Sequence, residues 1–231
     1  MPNIITIDPS LTCTAVVVND NVLVFASPHL CWNKNHKFNK WFELADEVAS
    51  IFVLSERTVE DNYSTSEIAK LVAYQHTIDT IVFNIKAILP EGDTKIFIEG
   101  YSYSSQAGPL IDLVTFGTLL RHKLLEISSN ITVVSPMSLK SAAAKLTYPA
   151  IEKGKKVKKY EYRNFEGVAG GKFTKHEMLK SLIENDSLKG KWISLLKEHS
   201  EELLAMKHIP KPFEDINDAK LMYEVALANK Y

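Results

Sequence analysis

Cysteine is scarce in this chain of 231 residues: Cys13 and Cys31 are the only two. Two thiols make neither a disulfide framework nor a four-ligand zinc set, and they suit a reducing compartment, where both read as small buried hydrophobes. Glycine and proline number nine each, which excludes collagen-like and low-complexity chains. No stretch approaches the roughly 18 uninterrupted apolar residues of a membrane helix. No basic leader precedes the apolar Ile4-Ile5-Thr6-Ile7, so neither secretion nor membrane spanning is expected and a cytoplasmic location is. An excess of one charge is missing too, with 27 Lys and Arg against 28 Asp and Glu. What remains is ordinary globular composition, 45% hydrophobic and 24% charged. At about 100 to 200 residues per domain, the length predicts a single domain with room for an insertion.

The charge is unevenly spread. Residues 1–139 carry 9 basic and 15 acidic side chains, and residues 140–231 carry 18 and 13. The densest basic tract holds Lys153, Lys155, Lys156, Lys158, Lys159 and Arg163, interleaved with Tyr160, Tyr162 and Phe165, and Lys172 follows it. One reading is a solvated loop. The other is a nucleic-acid contact, in which Lys and Arg neutralise phosphates while aromatic faces stack on bases.

Ile4–Ile7 ending in Asp8 reads as a short buried strand. Thr14–Val18 and Val22–Ala26 are β-branched runs joined by Asn19-Asp20-Asn21, a hairpin signal, since Asn and Asp tolerate the left-handed turn conformation. Phe38, Phe42, Ala45, Val48 and Phe52 recur at helical spacing and predict a helix from Phe38 to about Val59. A longer helix, capped at Ser66, runs to Pro90-Glu91-Gly92. Lys95–Glu99 is a strand, Leu110 to about Ile127 a helix, Ile131–Val134 a strand, and Met137–Leu146 a helix behind Ser135-Pro136. Between residues 147 and 173 regular patterning fails, which predicts a basic loop or small insertion. Helices resume at Thr174–Glu184, Lys191–Met206 and Phe213–Ala228. Three meandering strands followed by strands joined through helical crossovers describe an α/β chain: a mixed sheet flanked by helices. That order resembles the ribonuclease-H-like fold.

Four carboxylates stand out by position. Asp8 and Glu99 close two strands that this topology makes neighbours, at the edge where open sheets place ligands. Asp215 and Asp218 lie three apart at the start of the last helix and share a face. Taken one by one they also read as a turn residue, a surface acid and a helix-start pair favoured by the macrodipole. Together they would repel one another unless divalent cations bind, and hard oxygen ligands select Mg²⁺ or Mn²⁺.

The segments IITIDPSLTCTA (4–15), IFIEGY (96–101), VSPMSLK (134–140) and DINDAK (215–220) resemble, in order, the successive motifs of the RuvC family of Holliday-junction resolvases. The resemblance covers both ends and the middle of the chain. It implies a ribonuclease-H-like fold, a homodimer, and Mg²⁺-dependent cleavage of four-way DNA junctions in a bacterial or phage-infected cytosol, with a place in DNA recombination and repair. It implies Asp8, Glu99, Asp215 and Asp218 as ligands of two cations, Asp8 bridging them. It further implies Lys140, and Lys175 in GGKFTKHE (170–177), as basic groups near the scissile phosphate. Asp8-Pro9-Ser10 departs from the family's commoner Asp-Pro-Gly. The chain also exceeds bacterial members in length, before Glu99 and between Lys140 and Lys172, as phage and viral members do, which leaves other branched DNA open as substrate. Tyr101 and Tyr103, just after Glu99, are candidates to stack on an unpaired base. The helix from Leu110 to Ile127 is the candidate dimer contact. Two alternatives stay open: a junction-binding protein without catalysis, and an actin-like ATPase in which Asp8–Thr14 forms a phosphate loop.

Overall fold

The computed structural model describes residues 2–31, 37–55, 62–101, 107–148, 150–153, 157–160 and 173–228. Strands β1 (Asn3–Asp8), β2 (Cys13–Val18) and β3 (Asn21–Ala26) form an antiparallel meander. Asn19 and Asp20, at φ 47° and 77°, make the tight turn between β2 and β3, the conformation for which Asn and Asp are suited. Helix α1 (Asn39–Asp46), strand β4 (Ser50–Val53), helix α2 (Tyr63–Ile88) and strand β5 (Thr94–Glu99) follow. Then come α3 (Ala107–Leu124), β6 (Ile131–Val134), α4 (Pro136–Thr147), a short antiparallel ribbon β7 (Ala150–Lys153) and β8 (Val157–Tyr160), and α5 (Lys175–Glu184), α6 (Lys191–Glu198), α7 (Ser200–Ala205) and α8 (Phe213–Leu227). The main sheet has six strands in the order β4-β3-β2-β1-β5-β6, with β4 parallel to β3 and β5 and β6 parallel to β1. This is the α/β mixed sheet expected from the sequence.

Four boundaries differ from expectation. The helix expected from Phe38 to Val59 stops at Asp46, and Ser50–Val53 adds a strand to the sheet edge instead. Val48 and Phe52 continue the helical spacing by coincidence; no Gly or Pro marks the break. The α2 cap is Asn62, whose side chain accepts from the Ser64 amide at 2.9 Å, and not Ser66. Part of the tract expected to be a loop at 147–173 forms the β7–β8 ribbon. The helix expected over Lys191–Met206 is interrupted at His199. The Ser135 cap on α4 is present, accepting from the Ser138 amide at 3.1 Å.

Helices cover both faces of the sheet, so β2 is buried along its whole length. Successive side chains of a strand point to opposite faces. Ile5, Ile7, Val16, Ile96 and Ile98 therefore pack against Ile78, Ile81 and Ile85 of α2 and Phe116 and Leu120 of α3. Ala15, Val17 and Val24 meet Phe213, Ile216 and Met222 of α8, backed by Leu179 and Trp192. Cys13 and Cys31 are both buried and unbridged, as expected. Among the described residues, no helix is long and apolar enough to cross a membrane.

Helix α8 lies under other elements on nearly every side, with every residue from Asp215 to Ala226 buried. Charged groups there need partners. Lys220, with no exposed surface, bonds to Asp20 in the β2–β3 turn and to Glu224 at 2.7 Å. Two buried hydrogen bonds fix the helix against the rest: Thr6 Oγ1 of β1 donates to the Ala219 carbonyl at 2.7 Å, and Trp192 Nε1 donates to Asn217 Oδ1 at 2.9 Å.

Candidate metal centre

Because β1 and β5 are parallel neighbours with Ile7 opposite Ile98, Asp8 and Glu99 end side by side at one edge of the sheet. The Thr6–Ala219 bond holds the first turns of α8 against β1 and brings Asp218 to the same edge. One carboxylate oxygen from each of Asp8, Glu99 and Asp218 lies within 4.8 Å of the other two. Asp8 is 8% exposed, Asp218 1% and Asp215 2%, and Glu99 is half-buried.

Burial is the main force acting on these acids. It pushes the Asp8 carboxyl well above its ordinary value; repulsion from Glu99 and Asp215 adds to the rise, and Lys175 opposes it. Burial also raises Asp215, against the pull of the Lys211 ammonium. The Cys13 thiol, against the same carboxylate, is pushed up by burial and by the Asp215 charge. Such an arrangement favours either a shared proton or a cation.

Two ammonium groups already reach into the cluster. Lys175 at the start of α5 bonds to Asp218 Oδ2, with Glu214 3.7 Å away. Lys211 bonds to Asp215 Oδ1, with Glu214 at 3.8 Å. Burial works against the Lys211 charge, but Asp215 and Glu214 outweigh it and hold its pKa above the ordinary lysine value. Even so, Asp215 Oδ2 and Asp218 Oδ1 are buried without a hydrogen-bond partner among the described residues, a costly state for carboxylate oxygens.

The donor set fits a hard divalent cation. Three carboxylate oxygens converge from three chain segments, unpaired oxygen is left over, and neither a thiolate nor an imidazole is among the three. Mg²⁺ holds oxygens at about 2.1 Å, so its ligand oxygens stand about 3 to 4 Å apart; closing from the 4.8 Å limit requires sub-ångström movement. Asp8, Glu99 and Asp218 are the residues that would hold it.

The other residues singled out from the sequence fall in different places. Asp215 sits beside Asp8 but outside the set of three, with one oxygen taken by Lys211. Lys175 is in the site. Lys140, half-buried on α4, makes no ion pair with a described residue. Tyr101 is turned toward α3: its hydroxyl donates to the Val114 carbonyl at 3.2 Å, Arg121 Nη2 donates to the Tyr101 hydroxyl oxygen, and the Arg121 guanidinium covers one ring face 4.9 Å from its centroid. Base stacking by Tyr101 is therefore restricted to the other face. Lys153 ends β7, and Lys158 and Lys159 lie in β8. Tyr103, Lys155, Lys156, Arg163 and Lys172 lie outside the described residues.

Lys211 was not singled out from the sequence, where it reads as a linker residue between Pro210 and Pro212. Its i, i+4 relation to Asp215 is the signal that finds it. A scan of protein-family models, a search of curated proteins and a search of solved structures each returned no match to this chain.

Proposed function

We propose that this protein is a metal-dependent endonuclease acting on branched DNA, four-way junctions above all, by hydrolysis of a phosphodiester bond. The observation that carries the reading is the convergence of Asp8, Glu99 and Asp218 within 4.8 Å at the sheet edge, from the motifs that resemble RuvC resolvases. A bound Mg²⁺ or Mn²⁺ supplies Lewis-acid activation of water and of the phosphoryl oxygen. The chain's own groups do the rest. Asp8, Glu99 and Asp218 gather the charge that recruits the cation, and the burial of Asp8 and Asp218 keeps competing water away. Lys175, with a side chain 39% exposed, is placed to leave Asp218 and pair with the scissile phosphate, where a fixed cation stabilises developing charge. Lys140 on α4 has no acidic partner among the described residues to give up and takes the same role from the helix that follows β6. The basic tract that includes β7 and β8 contributes affinity through phosphate contacts.

Paired cuts across a junction require two sites, which favours a symmetric dimer. Exposed Ile68 and Val72 on α2 and Ile111 and Val114 on α3 give that pair an apolar face, in line with α3 as the contact helix.

A second reading, junction binding without cleavage, draws on the two lysines that already sit on Asp218 and Asp215. One experiment separates them. A synthetic four-way junction is expected to be nicked in Mg²⁺ and left intact in EDTA, and Asp8→Asn to bind it without cutting. Binding with no cleavage in Mg²⁺ or Mn²⁺ leaves the second reading. Cleavage that survives Asp8→Asn removes the assigned centre, and ATP hydrolysis without DNA cleavage points to the actin-like alternative.

A further inference from the structure

Asp215 and Asp218 stand one helical turn apart and are equally buried, yet their surroundings differ. Asp218 meets Asp8 and Glu99, whereas Asp215 is joined through Oδ1 to Lys211 and lies against the Cys13 thiol. The two lysines differ as well. Lys175 reaches Asp218 from α5, a separate helix, and its side chain is 39% exposed. It can exchange places with an incoming cation and find solvent or phosphate. Lys211 lies four residues before Asp215, between two prolines whose rings restrict the backbone on either side. Its side chain is 25% exposed, and it is shared between Asp215 and Glu214. For Lys211 to swing out, Asp215 would lose its counter-charge inside the fold, whereas the partly exposed Glu214 keeps Lys175 3.7 Å away; stripping a buried carboxylate of its partner is far costlier than losing one at the surface.

Resting on the metal-centre reading above, we infer that Lys211 is a positioning residue that withdraws Asp215 from the ligand set, so that the DNA-free protein takes one tightly bound divalent cation, on Asp8, Glu99 and Asp218. An ammonium is bonded to the Asp215 oxygen that a second cation would need. The pair Lys211–Asp215 carries no net charge, and like-charge repulsion would oppose a dication placed beside that ammonium. The chain thus differs from the two-cation count that the family resemblance implies. The difference comes from a residue outside the quoted motifs.

The test is a Mn²⁺ titration of the full chain without DNA, read by isothermal calorimetry and by the electron paramagnetic resonance signal of free Mn²⁺. Wild type is expected to bind one Mn²⁺. Asp215→Asn should keep one, with affinity changed less than threefold, whereas Asp218→Asn should lose at least tenfold. Lys211→Met should release Asp215 and bind a second Mn²⁺, the double variant Lys211→Met with Asp215→Asn should return to one, and Lys211→Arg should behave as wild type. Two ions bound by wild type, one of them lost in Asp215→Asn, would overturn the inference, and so would a single ion in Lys211→Met. Should Lys211→Met fail to fold, the comparison of wild type with Asp215→Asn decides alone. Absence of Mn²⁺ binding by wild type is a separate result, which removes the metal centre itself and the inference with it.

Discussion

Replacing Asp8 by Asn should stabilise the cation-free protein while abolishing the proposed cleavage. Most substitutions at buried positions destabilise, so the sign is diagnostic. In the fold, burial works hardest against the Asp8 charge, Glu99 and Asp215 repel it and Lys175 attracts it; with Asp215 offset by Lys211 and Lys175 by Asp218, about one repulsion, from Glu99, is left uncancelled. A like-charge pair at the 4.8 Å limit costs about 3 kcal/mol at an effective dielectric near 20. Partial proton uptake relieves some of this in the wild type, so the expected gain for Asp8→Asn is about 1–3 kcal/mol, a rise of roughly 2–12 °C in Tm for a domain of this size. Asn keeps the shape and can donate to Glu99, so no hydrogen bond is given up. The pH dependence has a definite sign. A raised carboxyl binds more protons in the folded than in the unfolded chain, so the stability it confers is present at low pH. It is lost as pH rises from the ordinary 3.8 through the raised value. The advantage of Asp8→Asn should therefore vanish near pH 4 and grow toward neutrality. The assay is a thermal melt in EDTA from pH 4 to 8, repeated with Mg²⁺, which should raise the Tm of wild type and leave that of the variant unmoved. A variant less stable than wild type in EDTA at pH 7, or equally responsive to Mg²⁺, would refute the reasoning.

Other outcomes follow from the same contacts. Thr6→Val removes the buried donor to the Ala219 carbonyl and should cost about 1–2 kcal/mol, seen as a lower denaturation midpoint at unchanged slope. Trp192→Phe leaves Asn217 Oδ1 without its donor and should cost about 1–3 kcal/mol in the same measurement. Neutralising Lys155, Lys156, Lys158 and Lys159 together should lower junction affinity and flatten its dependence on salt, as fluorescence anisotropy at several salt concentrations would show; unchanged affinity would make the tract a solvated surface.

The meander was legible because Asn19-Asp20 states its turn chemistry outright and the strands beside it are β-branched. The positions of Asp8 and Glu99 were legible for a related reason: each closes an apolar run, and parallel pairing of two such runs leaves little choice about where their ends lie. Strand β4 was not legible. Four residues at a sheet edge carry little periodicity, and Val48 and Phe52 prolong the spacing set by Phe42 and Ala45. The ribbon β7–β8 was hidden by its Lys-rich composition. What sequence spacing left out of the site was orientation. Asp215 and Asp218 share a helix face by their spacing, but which neighbour each one meets depends on Lys211 and Lys175, whose partners become visible only once α8 and α5 are placed.

We propose that Asp8, Glu99 and Asp218 together form a divalent-cation site. Crystals grown in Mn²⁺ and measured at a wavelength where manganese scatters anomalously test it directly. An anomalous peak among the three carboxylates is the expected result. A peak elsewhere, or none at Mn²⁺ concentrations that saturate ordinary nuclease centres, would contradict the account.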